Sequence, residues 1–460
     1  MKRFSNFVTQ ERRWALLFSL LWTTSWLLIF ALAWVLFFAP ANARLRIDRM
    51  GTIRLLIISP AAILVGAIAG LYYWRSYAPK TDLSIRLYPE GFGDIDYDLV
   101  ERLFHDCREV RLYPLPGGFS GMLVFRVDSW DQQGVPQQPM VLKLGLRRKI
   151  EAEERNYRYF VQRPIGSTGV LMGSEYKEER GAILLTYARM SRGKALTFEE
   201  FYSDVERNTA DNVAAVVGEV FQNALQPWLE GARLNPHSCL YQRYNLAEDW
   251  QKICQAVSDL GFDLGANYFD CLGRRFPNPL KEAQEWFKVR RDRECIARDV
   301  IVHGDLNSRN ILIDGHRNVF VIDFAKTEWS HLLRDFCKLE AEIKFCLTRL
   351  HCDDDIEQAI ALEEELLLAA NGEPFENLES LLNVNPVENA DPRLERARRS
   401  VMELRRIASQ AMGLQVTKLA EQYYLGLLHY TLDTLRYEQC ERNSKLYALI
   451  SASLLCRALR

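Results

Sequence analysis

The stretch HGDLNSRNILIDGHRNVFVIDFAK (303–326) decides how this chain is read. Three short apolar runs, VIV (300–302), ILI (311–313) and VFVI (319–322), are joined by tight polar turns, which is the pattern of strands and not of a helix. Asp305 stands in the turn after the first run, Asn310 follows five residues later, and Asp323 ends the third run, eighteen residues after Asp305. Two carboxylates and an amide at strand ends, folded together by a hairpin, can face one cleft. Hard oxygen donors of this kind suit Mg²⁺, which completes its shell with waters and substrate phosphates. Asp305, as a free carboxylate, suits acceptance of a hydroxyl proton. The competing reading is a chance hairpin with polar turns.

Outward from this island the text divides in two. Upstream, 111–115, 122–127, 139–145 and 182–187 are short β-branched or aromatic runs bounded by Gly, Pro and Asp, with one charged helical stretch at 148–160. Beyond about residue 196 the periodicity turns helical, at 212–231, 279–295, 331–350, 393–412 and 414–459. The expected class is α+β in two lobes, β-rich over 81–190 and helical over 191–460, with a helical extension at the end.

HGDLNSRN (303–310) resembles the H-x-D-x-x-x-x-N catalytic loop of the protein-kinase-like superfamily. Gly304 after the histidine and the IDFA segment (322–325) resemble its small-molecule branch, the aminoglycoside phosphotransferases and choline kinases, and the chain looks closest to the phosphotransferase-like ternary complex associated modules of bacterial signalling and defence proteins. The resemblance covers roughly 110–345. It implies a bilobal kinase-like fold, ATP and Mg²⁺ as cofactors, and transfer of the γ-phosphoryl group to a hydroxyl of a small molecule or unusual acceptor. It implies Asp305 as catalytic base and Asn310 and Asp323 as Mg²⁺ ligands. His303 and Asp335 would brace the loop. In the first lobe it implies a phosphate loop at Gly117, Gly118, Ser120 and Gly121, since glycine lets the backbone approach a phosphate. Lys143 would hold the α/β-phosphates and pair with one glutamate of 149–160. Glu154 is favoured, with Glu151 second and the remaining acid, Glu153, left to a solvated face. Backbone groups at Tyr187 and Ala188 would meet adenine.

Two departures narrow the acceptor. Gly304 stands where a protein kinase carries the Arg that senses activation-loop phosphorylation, and Asp323-Phe324-Ala325 lacks the last glycine of DFG, with no APE downstream. A small molecule is therefore expected ahead of protein Ser/Thr. A kinase-like scaffold that binds nucleotide without turnover is the alternative from another class. The acidic runs 353–355 and 363–365 read as solvated helix faces, with attraction of a polyamine-like acceptor as the competing reading. Tyr423, Tyr424 and Tyr430 read as packing residues, with a quaternary-amine cage as theirs.

The front of the chain is different. Residues 14–38 form a run of 25 without a charge and 55–74 a run of 20, both long enough for a membrane core of about 30 Å. Ala41-Asn42-Ala43 has the small-residue look of a signal-peptidase site, but the first run exceeds an h-region of about 7–15 residues and a second run follows. Two spans at about 14–38 and 55–74 are expected within a membrane hairpin at 1–80. Seven bases lie on the terminal side of the runs and four between them, which favours both termini, and with them the catalytic body, in the cytoplasm. Residues 1–80 carry ten Lys/Arg and two acids, so of 58 bases and 60 acids the remainder holds 48 and 58, a net of −10. An acidic body leaves no basic footprint for nucleic acid. The expected partners are ATP, a phosphate acceptor, the bilayer and signalling proteins. Ten cysteines without a CxxC pair read as reduced and mainly buried, not as zinc ligands.

Overall fold

Period-two alternation of side chains builds the first lobe. The computed structural model describes residues 92–115, 121–161, 170–186, 195–368, 391–413 and 418–460, together with the backbone of Ser84–Arg86. All lie in one compact unit, Thr81–Arg460. Strands β1 (Ser84–Arg86), β2 (Cys107–Pro114), β3 (Leu123–Asp131), β4 (Met140–Leu146), β5 (Leu171–Lys177) and β6 (Arg180–Thr186) form one sheet in the order β1-β2-β3-β4-β6-β5. Only the β1–β2 pairing among them is parallel. Leu142 and Leu144 of β4 share a core with Val110, Phe125, Val127 and, around helix α1 (Asp94–Leu103), Leu99, Val100 and Phe104. Alternation sends Lys143 to the opposite face, where Met122, Ile150 and Ile183 cluster at helix α2 (Arg147–Asn156). Burying each leucine is worth about 1.5–3 kcal/mol. A one-residue slip of β4 would carry both leucines out of this core and turn the lysine into it, so the leucines hold the lysine where it is.

The second lobe is helical with small strand sets. Its strands are β7 (Leu196–Thr197), β8 (Arg233–Ser238), β9 (Tyr268–Cys271), β10 (Arg274–Pro277), β11 (Cys295–Val302), β12 (Ile311–Ile313), β13 (Val319–Val321) and β14 (Glu328–His331). The island supplies β12 and β13, an antiparallel hairpin flanked by β7, while β11 is flanked by β14 and β8. The longer helices are α3 (Ala210–Glu219), α4 (Trp250–Asp259), α5 (Pro279–Val289), α6 (Arg334–Glu342), α7 (Asp353–Leu368), α8 (Pro392–Met412), α9 (Leu419–Thr434) and α10 (Arg442–Ala458).

Three expectations change. The run 212–231 is not one helix: α3 passes into a π-helical turn at Val220–Ala224, and Pro227 then opens a short separate helix, Gln226–Glu230. The run 331–350 likewise becomes α6 and a π-helical turn, Ile343–Leu347. The acidic runs are not wholly solvated. Asp355 is buried and 3.0 Å from Arg393, and Glu363 is fully buried, 2.5 Å from Lys344. Glu363 belongs to an ionic network with Lys344, Glu340 and Arg405, in which Tyr447 and Tyr423 donate to the two carboxylates. Two acids and two bases cancel there, which makes burial tolerable and the loss of any single member costly. Tyr423, Tyr424 and Tyr430 are all buried, as packing residues are.

Among the described residues no helix is long and apolar enough to cross a membrane. The expected spans at 14–38 and 55–74 lie outside the described residues.

Candidate active site

The turn at 303–310 is held from three directions. Asp335, in the first turn of α6, accepts the His303 N–H at 2.6 Å and the Gly304 N–H at 3.0 Å. Burial pushes the Asp335 carboxyl up from its ordinary value, opposed by His303 and these main-chain donors. The His303 ring faces the Ile322 carbonyl through Nε2 at 2.9 Å and accepts the Asp305 N–H at Nδ1 at 3.3 Å, so its proton resides on Nε2. It thereby ties the turn to the strand end before Asp323 and has no nitrogen left for proton transfer. Asn307 caps the following turn, accepting from the N–H groups of Arg309 and Asn310 at 3.1 and 3.2 Å. Glu342 accepts from the Ser308 N–H at 3.0 Å and its hydroxyl at 2.5 Å.

Gly304 has a specific reason to be glycine. Its φ is +77°, and a Cβ there would lie 2.2 Å from the Lys326 carbonyl oxygen. The backbone of the segment after Asp323 therefore runs directly over the turn before Asp305. Asp323 itself has φ +69°, a strained value for a residue with a side chain. The following ring, Phe324, is buried edge-on against Tyr157 and Trp228 and tilted against His303, with centroids 5.3–6.2 Å away. From the first lobe, Asn156 at the end of α2 donates to the Ala325 carbonyl at 2.9 Å.

This arrangement brings Lys143 and Asp323 together. The Lys143 ammonium lies 2.5 Å from Glu153 and 3.4 Å from Asp323, so one side chain of the sheet lobe touches the strand end of the helical lobe. Burial alone would push the lysine down, but Glu153 and Asp323 hold it above its ordinary value. The expected partner Glu154 is corrected to Glu153. Glu154 instead takes Arg158 at 2.8 Å and the Tyr176 hydroxyl, and Glu151 takes Arg147 at 2.7 Å. The cause is helical phase. Ile150, Glu153 and Tyr157 are spaced three and four apart and all are buried, so Glu153 lies on the stripe that meets the sheet. The two apolar residues of that stripe were visible in the sequence and would have selected Glu153.

Asp305 occupies a second cluster. Lys338 of α6 approaches one carboxylate oxygen at 2.8 Å and Lys326 the other at 3.0 Å. Burial would raise the Asp305 carboxyl, but these two ammoniums hold it far below the ordinary carboxylate range. Lys338 is nearly buried, lies 5.6 Å over the Tyr430 ring, and is held charged above its ordinary value by Tyr437, Asp305 and Tyr430 against the opposing effect of burial. Neither lysine was singled out in the sequence, because each comes from an element whose contact with Asp305 is long-range. Asn310 is buried and donates through Nδ2 to the Asp305 carbonyl at 2.8 Å, which leaves its amide oxygen for another partner. Asp305 and Asp323 keep 28% and 27% of their side-chain surface open. Gly121 has φ +67° and open space around it, as a close backbone approach requires. Gly117, Gly118, Ser120, Tyr187 and Ala188 lie outside the described residues.

Comparisons with solved structures return phosphotransferases. A thermostable mutant of aminoglycoside phosphotransferase APH(4)-Ia, in ternary complex with ADP and hygromycin B, is 13% identical over 75% of this chain and 93% of its own, with a TM-score of 0.38. A Plasmodium vivax ethanolamine kinase is 12% identical over 75% and 81%, with a TM-score of 0.31. Spectinomycin phosphotransferase APH(9)-Ia, in complex with ADP and spectinomycin, is 12% identical over 64% and 93%, with a TM-score of 0.30. These likenesses do not bear on chemistry, which rests on the contacts above. A search of curated proteins finds no match. The model of the family "ternary complex associated domain 9" matches residues 107–251 and 264–436.

Proposed function

The chain belongs to the ternary complex associated domain 9 family, and from the cleft that it builds we propose a phosphotransferase that moves the γ-phosphoryl group of ATP to a hydroxyl of a small-molecule or unusual acceptor. One observation carries the reading: Lys143, fixed on a strand of the first lobe, reaches Asp323 of the second at 3.4 Å, beside a partly open Asp305. Phosphoryl transfer asks little covalent help of a protein, so placing charges is most of the work.

Each group then has a role. Lys143 holds the α/β-phosphates, with the glycine loop ending at Gly121 covering them and the backbone at Tyr187 and Ala188 meeting adenine. A carboxylate and an amide oxygen are a donor set that fits Mg²⁺. Asp323 and Asn310 would hold the ion, which supplies neutralisation of phosphate charge. Asp305 orients the acceptor hydroxyl and takes its proton. A carboxylate held so acidic is a weak base, which suits a loose transition state in which the acceptor is not yet deprotonated. Lys326 and Lys338 offset charge on the phosphoryl group in transit. Membrane anchoring through 14–38 and 55–74, with the body in the cytoplasm, is part of the same proposal and rests on the two uncharged runs.

A second reading, a membrane-anchored scaffold that binds nucleotide without turnover, draws support from the same lysines, which engage both Asp305 oxygens. Calorimetric titration of the full chain in detergent separates the two when paired with a γ-phosphate transfer assay. On the enzyme reading Asp323→Ala loses Mg²⁺-dependent ATP binding and all turnover. Asp305→Ala keeps binding and loses turnover by about a thousandfold or more. Binding without transfer to any acceptor or to water favours the scaffold, and no binding at all sinks both.

A further inference from the structure

The Cys346 and Cys440 sulfurs lie 3.3 Å apart, although 94 residues separate them in sequence. Cys346 is in the π-helical turn that continues α6, the helix that carries Asp335 and Lys338. Cys440 sits in the turn between α9 and α10, where its N–H closes on the Tyr437 carbonyl. The two surroundings differ. The sulfur–sulfur hydrogen bond and the nearby Lys445 ammonium hold the Cys440 thiol below its ordinary value, against burial and the Glu342 carboxylate. The Cys346 thiol is held well above its ordinary value, first by the sulfur–sulfur hydrogen bond and then by burial. Cys346 is half-buried and Cys440 is buried behind it, so a small oxidant enters from the Cys346 side. One helical turn before it, Glu342 grips the Ser308 N–H and hydroxyl between Asp305 and Asn310.

We infer that Cys346 and Cys440 are a reversible redox site: a peroxide joins them in a disulfide that fastens the α9–α10 turn to the helix under the candidate catalytic loop. A disulfide bond is about 2.05 Å long, so roughly 1.3 Å of approach closes it. The Cys440 thiolate attacks one peroxide oxygen and the O–O bond breaks. The leaving oxygen takes a proton and departs as water, and Cys440 is left as a sulfenic acid. The Cys346 sulfur, giving up its proton, then attacks the Cys440 sulfur. The S–O bond breaks and the second oxygen leaves as water. Two electrons pass from the two thiols to the peroxide, and a dithiol reductant returns them. Disulfides of this kind in a reducing compartment are transient and redox-sensing. The inference is independent of the phosphotransferase reading.

The test treats the full chain with hydrogen peroxide, caps free thiols with N-ethylmaleimide and maps peptides by mass. The expected product is a cross-linked peptide pair containing Cys346 and Cys440, lighter by two hydrogens and restored by dithiothreitol. It forms at least tenfold faster than any other cross-link in the chain. Cys352→Ser, which removes an exposed thiol six residues from Cys346, leaves the product unchanged. Cys440→Ser abolishes it and leaves Cys346 alkylated. Because the wild-type product is itself the readout, a misfolded variant does not decide the matter. Oxidation that goes first to Cys352, or cross-links spread over several cysteines, overturns the inference.

Discussion

Lys143 lies between two carboxylates, Glu153 at 2.5 Å and Asp323 at 3.4 Å, whereas Asp305 lies between two ammoniums, Lys338 at 2.8 Å and Lys326 at 3.0 Å. The first cluster has one positive and two negative groups, a formal −1. The second has one negative and two positive groups, a formal +1. Counting these ion pairs alone, each leaves one charge over, and the signs are opposite. On the phosphotransferase reading this assigns the ends of the cleft, with a cation completing the first cluster and the travelling phosphoryl group completing the second. The clusters also differ in stiffness. Lys143 and Glu153 are 7% and 2% exposed at the side chain, while Lys326 is 65% exposed. A buried pair is expensive to break, and an exposed one is screened and cheap.

The largest expected effect tests that stiffness. Lys143→Met strands Glu153 and should cost about 3–5 kcal/mol in urea denaturation. Adding Glu153→Gln to Lys143→Met should recover most of that loss, because no unpaired buried charge remains. Glu154→Gln should cost about 1 kcal/mol or less and show no coupling to Lys143→Met, since its partners are Arg158 and Tyr176. A cycle in which Glu154 couples to Lys143 more strongly than Glu153 does would break the assignment of the first cluster.

The two clusters were unequally legible in the sequence. Lys143 was reached through the family resemblance, at mid-strand of the apolar run MVLKLG, and strand alternation puts it opposite Leu142 and Leu144. Asp305, Asn310 and Asp323 stood out because short strands with tight turns place their own ends locally. The glutamate was missed by one residue, since three acids stand within four positions and only the phase set by Ile150 and Tyr157 separates them. Lys326 and Lys338 were invisible as partners of Asp305. Lys326 is brought over the turn by the close backbone approach at Gly304, and Lys338 by the docking of α6 beneath it. The strands flanking β11 were missed for the same reason. β8 (RLNPHS) and β14 (EWSH) are short and polar, and they become strands only because β11 lies between them.

Gly304 gives the next effect in size and bears on the second cluster. Alanine there puts a Cβ against the Lys326 carbonyl in a positive-φ conformation, two penalties at one position. Together they should cost about 2–3 kcal/mol in denaturant unfolding. The carbonyl cannot yield without moving the Lys326 side chain off Asp305, so activity should fall beyond what the stability loss explains. A stability loss under about 0.5 kcal/mol would mean that the segment after Asp323 is not held over the turn.

The smallest effect asks whether the two ammoniums set the acidity of Asp305. Only the ionised carboxylate orients an acceptor hydroxyl and accepts its proton, so kcat/KM falls as pH drops through the Asp305 pKa. Lys338 and Lys326 depress that pKa, which places the wild-type acid limb below the ordinary carboxylate range. Removing a cation makes the charged form less favourable and the pKa rises, so the limb must move to higher pH and never to lower. Lys338→Gln, at the nearly buried position, should raise it by about 1–2 pH units. Lys326→Gln should raise it less, because water and salt already screen that ammonium. An acid limb that stays in place in both variants would mean that Asp305 does not titrate in the rate, and the second cluster would lose its part in the chemistry while the first kept its own.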